Sequence, residues 1–267
     1  MVENGKVYEL GLMYYQEMPR VGKRTYELNL PETGGPYFGE SSMLAHGEKI
    51  SGDLAQIGAQ FDGLGHIGKR ITSEDGEHMD VFYNGFTAEE IYAPDGLKKL
   101  GVENVKSIIT RGILIDLAGA KSQRTLPDGY LVTMEEVYDA LRKQQINEAD
   151  IQPGDALLFN FGWSHHLSEP DRYKSSSKVP GLNHEVAQWI IEKRACMIGS
   201  DCAAEKYGKS SHYSVHFDLL MMNGIHNLEF MNFEPLLEDR VYTFLFIFTP
   251  LPLKGATGSP GRPIAIR

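Results

Sequence analysis

"IITRGILIDLA", Ile108 to Ala118, is the stretch that decides the fold class. It is rich in isoleucine and mostly apolar, as a strand buried on both faces must be, because neither side of its pleat meets water. Such a strand belongs to a sheet covered by helices, and the residues downstream supply them. Thr133-Met-Glu-Glu136 is a capping-box signature that opens a helix of about a dozen residues through Ile146. After the turn Pro153-Gly154-Asp155, "ALLFNFG" reads as a second buried strand. Asn183 caps a helix through Lys193 in which Val186, Trp189 and Ile190 follow a helical period. "ACMIGSD" is a short strand leading into the loop after Asp201. His216 to Asn223 has helical spacing and stops at Gly224, a residue suited to the left-handed C-terminal position. "RVYTFLFIFTPLPL" is a last core strand broken by its prolines. The glycine- and proline-rich first 60 residues read as shorter strands and loops. Together these elements predict an α/β fold with a mixed sheet, organised as one domain over residues 1–267.

At 267 residues the chain is long enough to bury a sizeable core, and with 42% hydrophobic and 23% charged residues its composition is that of a globular protein. The net charge of -10, without a basic stripe, argues against a nucleic-acid surface. No apolar run approaches the roughly 20 residues of a membrane span. The start, Met-Val-Glu-Asn-Gly-Lys, lacks the layout of a secretory signal, so a cytoplasmic location is expected. Cys196 and Cys202 form no CxxC pair and read as reduced thiols. Neither a P-loop, a dinucleotide fingerprint nor a GxSxG elbow is present, which argues against nucleotide cofactors and a serine nucleophile.

The residues with chemical potential fall into two groups. In "GAQFDGLGHIG", Gly58 to Gly68, Gln60 and Asp62 share a face of an extended segment, and His66 returns beyond a glycine-loosened turn. Carboxylate and imidazole are usual protein contributions to a metal-dependent hydrolytic site. Taken alone, however, this spacing more often marks a solvated polar turn. In "HFDLLMMNGIHNLEF", His216 begins a short helix and Glu229 lies on a following strand, so the two can converge on one ion across the Gly224 turn. The competing reading has His216 packed within its helix and Glu229 solvated. Glu229 stands between Leu228 and Phe230, where a buried carboxylate is costly unless a cation or hydrogen bonds compensate it. His78, His165, His166, His212 and His226 read as surface or packing histidines. Tyr83 and Asn84 in "FYNGF" fit a pocket wall and the core equally well.

Further segments follow in a fixed order: "TRGILIDL", "GDALLFNFGW" and "PLPLKGATGSPGRPIAI". With the two groups above, they resemble the cyclase family of metal-dependent hydrolases, which includes bacterial kynurenine formamidase and isatin hydrolase, over residues 5 to 267. The family hallmark H-x-G-T-H-x-D-x-P-x-H aligns with Gln56-Ile-Gly58-Ala59-Gln60-Phe-Asp62-Gly-Leu64-Gly-His66. The resemblance implies a swivelling β/β/α fold and a homodimer or homotetramer. It implies metal ligands at Asp62, His216 and Glu229, and proton transfer by His66. Gln56 and Gln60 stand where the family has ligating histidines, as in a subgroup with a G-T-Q-W-D-G-x-x-H motif. Gln60 offers a carbonyl oxygen instead of an imidazole nitrogen. The expected cofactor is therefore one divalent ion, manganese favoured over zinc. The expected activity is hydrolysis of a small amide, cyclic amide or lactone. The alternatives are a metal-free small-molecule binding protein of the same fold and a metal-dependent isomerase or dehydratase. Tyr37, Phe38 and Trp163 are the aromatic candidates for a contact between chains, and core packing explains them just as well.

Overall fold

The isoleucine-rich stretch forms a strand, Ile108–Asp116, near the middle of a nine-stranded sheet. The computed structural model describes residues 2–30, 45–175, 177–205 and 215–267. In chain order the sheet contains β1 (Val7–Glu9), β2 (Gln60–Asp62), β3 (Ile108–Asp116), β4 (Ala156–Asn160), β5 (Met197–Ser200), β6 (His226–Glu229), β7 (Thr243–Phe248), β8 (Gly258–Pro260) and β9 (Ile264–Ile266). Their spatial order is β1-β9-β7-β3-β4-β5-β6-β2-β8. The block β3-β4-β5-β6 is parallel, and the strands flanking it on both sides are antiparallel. The mixed-sheet α/β architecture read from the sequence is the one observed.

Parallel neighbours need crossover connections. Helix α1 (Met134–Lys143) links β3 to β4, and α2 (His184–Glu192) links β4 to β5. Thr133 and Glu136 make the expected capping box, and Asn183 accepts the Val186 N–H at 2.9 Å. Helix α1 ends at Lys143 rather than Ile146. Gln145 takes a left-handed φ of 58°, and the Ile146 N–H reaches back to the Leu141 carbonyl at 2.9 Å. Ile146 therefore belongs to the closing turn and packs against the core from there.

Alternation along β3 splits the core in two. Ile113 and Ile115 join Leu157, Phe159 and the inner faces of α1 and α2. Leu114 joins Leu158, Leu228 and the phenylalanines of β7 on the opposite side. The expectation that β3 is buried on both faces holds for Gly112 to Ile115 but not before. Pairing with β4 begins only at Gly112, so Ile108 to Arg111 overhang their neighbour, and Ile109 is 64% exposed. His78, read as a surface or packing histidine, is exposed on the outer hairpin Lys69–Thr72/His78–Val81. Among the described residues no helix is long and apolar enough to cross a membrane.

Candidate metal centre

Strands β2 and β6 pair antiparallel, with Asp62 opposite Asn227, Phe61 opposite Leu228 and Gln60 opposite Glu229. The two-residue period sends Phe61 and Leu228 into the core and brings Gln60, Asp62, Asn227 and Glu229 to the other face. On the outer side of β2, Gly258 faces Asp62 and Pro260 faces Gln60, so β8 adds no polar side chain there.

His216 reaches this face from the widened helical turn His216–Met221, which runs into β6 through Gly224. Gly224 has φ +66°, and a Cβ there would meet the Tyr83 ring at 2.8 Å. The His216 Nε2 lies 3.0 Å from Glu229 Oε1 and 3.4 Å from Asp62 Oδ2. One ligand atom from each of Asp62, His216 and Glu229 lies within 4.8 Å of the others, and all three residues are buried. The Asp62 Oδ2 is buried with no hydrogen-bond donor among the described residues. Two carboxylates around one imidazole, with one carboxylate oxygen unsatisfied, form a donor set that a divalent cation would complete. The residues therefore fit a divalent cation.

Sequence reading missed two members of this cluster. Glu205 is buried and accepts hydrogen bonds from the His216 backbone N–H at 3.1 Å and from its Nδ1 at 2.5 Å. A proton held on Nδ1 leaves Nε2 with its lone pair facing Asp62 and Glu229. Asn227 donates from Nδ2 to Glu229 Oε1 at 3.0 Å and lies 3.2 Å from His216 Nε2. Only the alternation around Glu229 hinted at Asn227. The one signal for Glu205 is a carboxylate directly after the apolar Ala203-Ala204.

Gln60 lies in the cluster, and its amide nitrogen donates to Asp62 Oδ1 at 2.9 Å. Its carbonyl oxygen is the atom a metal would take. His66 follows a tight turn in which its N–H bonds the Gly63 carbonyl at 2.9 Å, and its Nε2 lies 3.6 Å from Asp62 Oδ1. A Cβ at Gly65 would stand 2.3 Å from Leu97 Cδ1, so a larger residue there requires that side chain to shift.

The buried charges shift one another. Burial lowers the proton affinity of His216, but Asp62, Glu205 and Glu229 outweigh it and hold the imidazole well above its ordinary range. Burial raises Asp62, yet His66, His216 and the Gln60 hydrogen bond bring it below the usual carboxylate value. Glu229 is pushed up by burial and by the Asp62 charge, only partly offset by His216.

A cavity of about 270 Å³ is lined by Gln60, His66, His216 and Glu229 together with Val21, Arg24, Val179, Ala203 and Phe230. Gln56, the other glutamine at a histidine position, lines a smaller neighbouring recess with Ile57 and Gly58. His165 pairs with Glu234 at 3.2 Å and His166 with Glu169 at 3.0 Å, away from the cluster. His226 stacks on Phe61 and touches the site only through the Asp62 backbone carbonyl, at 3.0 Å. His212, Tyr37 and Phe38 lie outside the described residues. Trp163 is fully buried in the core, which is the packing reading of the two the sequence allowed.

The sequence model described as "Putative cyclase" matches residues 9–205. The chain belongs to this cyclase family. The match takes in Asp62 and His66, whereas His216 and Glu229 lie beyond its end and join the site through the fold. Among solved structures, one described as a novel cyclase has a TM-score of 0.86 at 27% identity, covering 100% of this chain and 88% of its own. Isatin hydrolase A from Labrenzia aggregata has a TM-score of 0.65 at 18% identity, covering 97% of this cyclase-family chain and 93% of its own. A predicted metal-dependent hydrolase from Bacillus stearothermophilus has a TM-score of 0.60 at 16% identity, with 98% of both chains covered. The last two likenesses are of fold. No curated protein matches the sequence.

Proposed function

We propose that this cyclase-family protein is a hydrolase that binds one divalent metal and cleaves a small amide, cyclic amide or lactone. The observation that carries the reading is the convergence of Asp62, His216 and Glu229 on one point at the wall of a cavity that also holds His66. A divalent ion held by these three residues supplies a Lewis acid, which polarises a carbonyl and lowers the pKa of water.

The chain's own residues do the remainder. Glu205 keeps the His216 proton on Nδ1 and so presents Nε2 as a ligand. Gln60 and Asn227 orient Asp62 and Glu229 through their amide groups. His66 Nε2 takes the proton of the attacking water and returns it to the leaving nitrogen or oxygen as the carbonyl C–N or C–O bond breaks. Asp62, 3.6 Å away, stabilises the imidazolium formed between these transfers. Val179, Ala203 and Phe230 contribute apolar lining to the cavity.

The donor set is mainly oxygen, so manganese is the preferred ion and zinc the second choice. Because the general affinity order favours zinc at any given site, activity rather than occupancy is the readout. Metal-free protein should regain more activity with manganese than with zinc across a panel of small amides and lactones. Gln60→His should move that preference towards zinc. Higher activity with zinc in the parent protein would refute the argument from ligand hardness, and no activity with any metal would favour a binding protein of the same fold. A cytoplasmic homodimer or homotetramer remains the proposed form, tested by light scattering and cell fractionation.

A further inference from the structure

We infer that Arg24 is a specificity-determining residue of this cavity, selecting small molecules that carry a carboxylate in addition to the group presented to Asp62, His216 and Glu229. The inference rests on the hydrolase reading for its meaning, though not for its test. Arg24 lines the same cavity as the metal-ligand cluster and His66. It makes no ion pair among the described residues, and the one hydrogen bond its side chain donates runs from Nη1 to the Val21 carbonyl at 3.0 Å. By contrast, Arg70, Arg111, Arg172, Arg262 and Arg267 each hold a carboxylate. In a chain with a net charge of -10, a half-buried guanidinium that lines a cavity and pairs with no carboxylate among the described residues is suited to an anion from outside the chain.

Its position is braced. The Arg24 carbonyl accepts the Arg20 Nε–H at 3.1 Å, and the next residue, Thr25, donates its N–H to Asp53 Oδ2 at 2.7 Å. With Nη1 tethered to Val21, the Nε and Nη2 edge has no partner among the described residues and forms a planar fork, the shape that matches a carboxylate in bidentate fashion. Holding the fork in place beforehand reduces the ordering cost of binding an anion. Val21, Val179 and Phe230 supply apolar surface to the same cavity. The cavity thus suits a compact apolar body with an anionic substituent beside its reacting carbonyl.

The test uses phthalate and its monomethyl ester as probes, titrated by calorimetry into the metal-loaded protein. The two ligands share one carboxylate for the metal end and differ in the second. The parent protein should prefer phthalate by about tenfold. Arg24→Gln should bring the ratio of dissociation constants close to one while metal content and monomethyl ester affinity stay as they were, and Arg24→Lys should recover part of the preference. Either an equal affinity of the parent for both probes or an unchanged ratio in Arg24→Gln would overturn the inference. Hydrolysis is not read in this experiment. A failure to find amide or lactone cleavage would therefore count against the proposed function alone.

Discussion

Strand β4 and strand β6 sit two places apart in one sheet, and nearly every residue of each is buried. In β4, Leu157 and Phe159 pack towards the helices while Ala156 and Leu158 pack on the other side. In β6, Leu228 likewise enters the core, but its neighbours Asn227 and Glu229 turn to the cavity. The backbone geometry is the same, and the alternation serves opposite ends. Fully burying a leucine or phenylalanine contributes about 1.5–3 kcal/mol. A buried carboxylate instead costs several kcal/mol until partners or a cation offset it. The parallel block therefore supplies the stability that lets the β2–β6 pair hold charges in a nearly dry place.

The contrast can be broken most directly by exchanging the two kinds of damage. Phe159→Ala should cost about 3–5 kcal/mol in denaturant unfolding, because it opens a cavity in the packed block. Asp62→Ala should abolish activity and reduce bound metal to background in elemental analysis, while the metal-free protein loses far less stability than Phe159→Ala does. If Asp62→Ala, still folded, binds metal as tightly as the parent, the cluster is not the metal centre.

His66→Ala sharpens the comparison within the site itself. Turnover should fall by roughly two to four orders of magnitude with metal content unchanged. Unaltered turnover would send the proton to another group.

The next effect is smaller. Glu205→Ala should weaken metal binding about tenfold to a hundredfold, as loss of a partner behind a ligating histidine does. It should also change the pH dependence. Burial opposes charging of His216, but its three carboxylate neighbours raise it well above the ordinary value of 6.5. The metal-free native state thus keeps a proton that the unfolded chain releases. This stabilisation is complete below the ordinary value and is lost as pH rises through the raised one. The metal competes with that proton, so metal affinity should climb with pH across the same window, with proton release measurable by calorimetry in buffers of different ionisation enthalpy. In Glu205→Ala the climb should start at lower pH.

The smallest effect on the site is expected from Asp201, which serves the parallel block. Burial pushes its carboxyl from 3.8 up to about 7, against the pull of backbone N–H groups from Phe161 and Ser164. The native state then holds more protons than the unfolded chain between those values, so stability should fall as pH rises through that range. Asp201→Asn should flatten this slope and leave metal affinity unchanged. A slope that persists in the variant would assign it to another group.

What the sequence by itself determined was whatever depends on neighbours along the chain. The apolar runs of β3 and β4, the capping box before α1, the Asn183 cap and the Gly224 stop are local signals, because strand burial, caps and left-handed turns are satisfied within a few residues. The ligand types at Asp62, His216 and Glu229, and the glutamines at positions 56 and 60, were legible in the same way. Where helix α1 ends and where β3 loses its cover depended on packing and on the start of the β4 pairing. The tertiary structure alone decided which side chains meet. The β2–β6 register sets Glu229 against Gln60 and Asn227 against Asp62. Glu205 gains its role from reaching Nδ1 of a histidine on another element, and Arg24 from lining the cavity of strands far along the chain. No periodicity encodes such meetings, since a one-residue slip between two strands would leave every local pattern intact and turn the whole polar set to the other face.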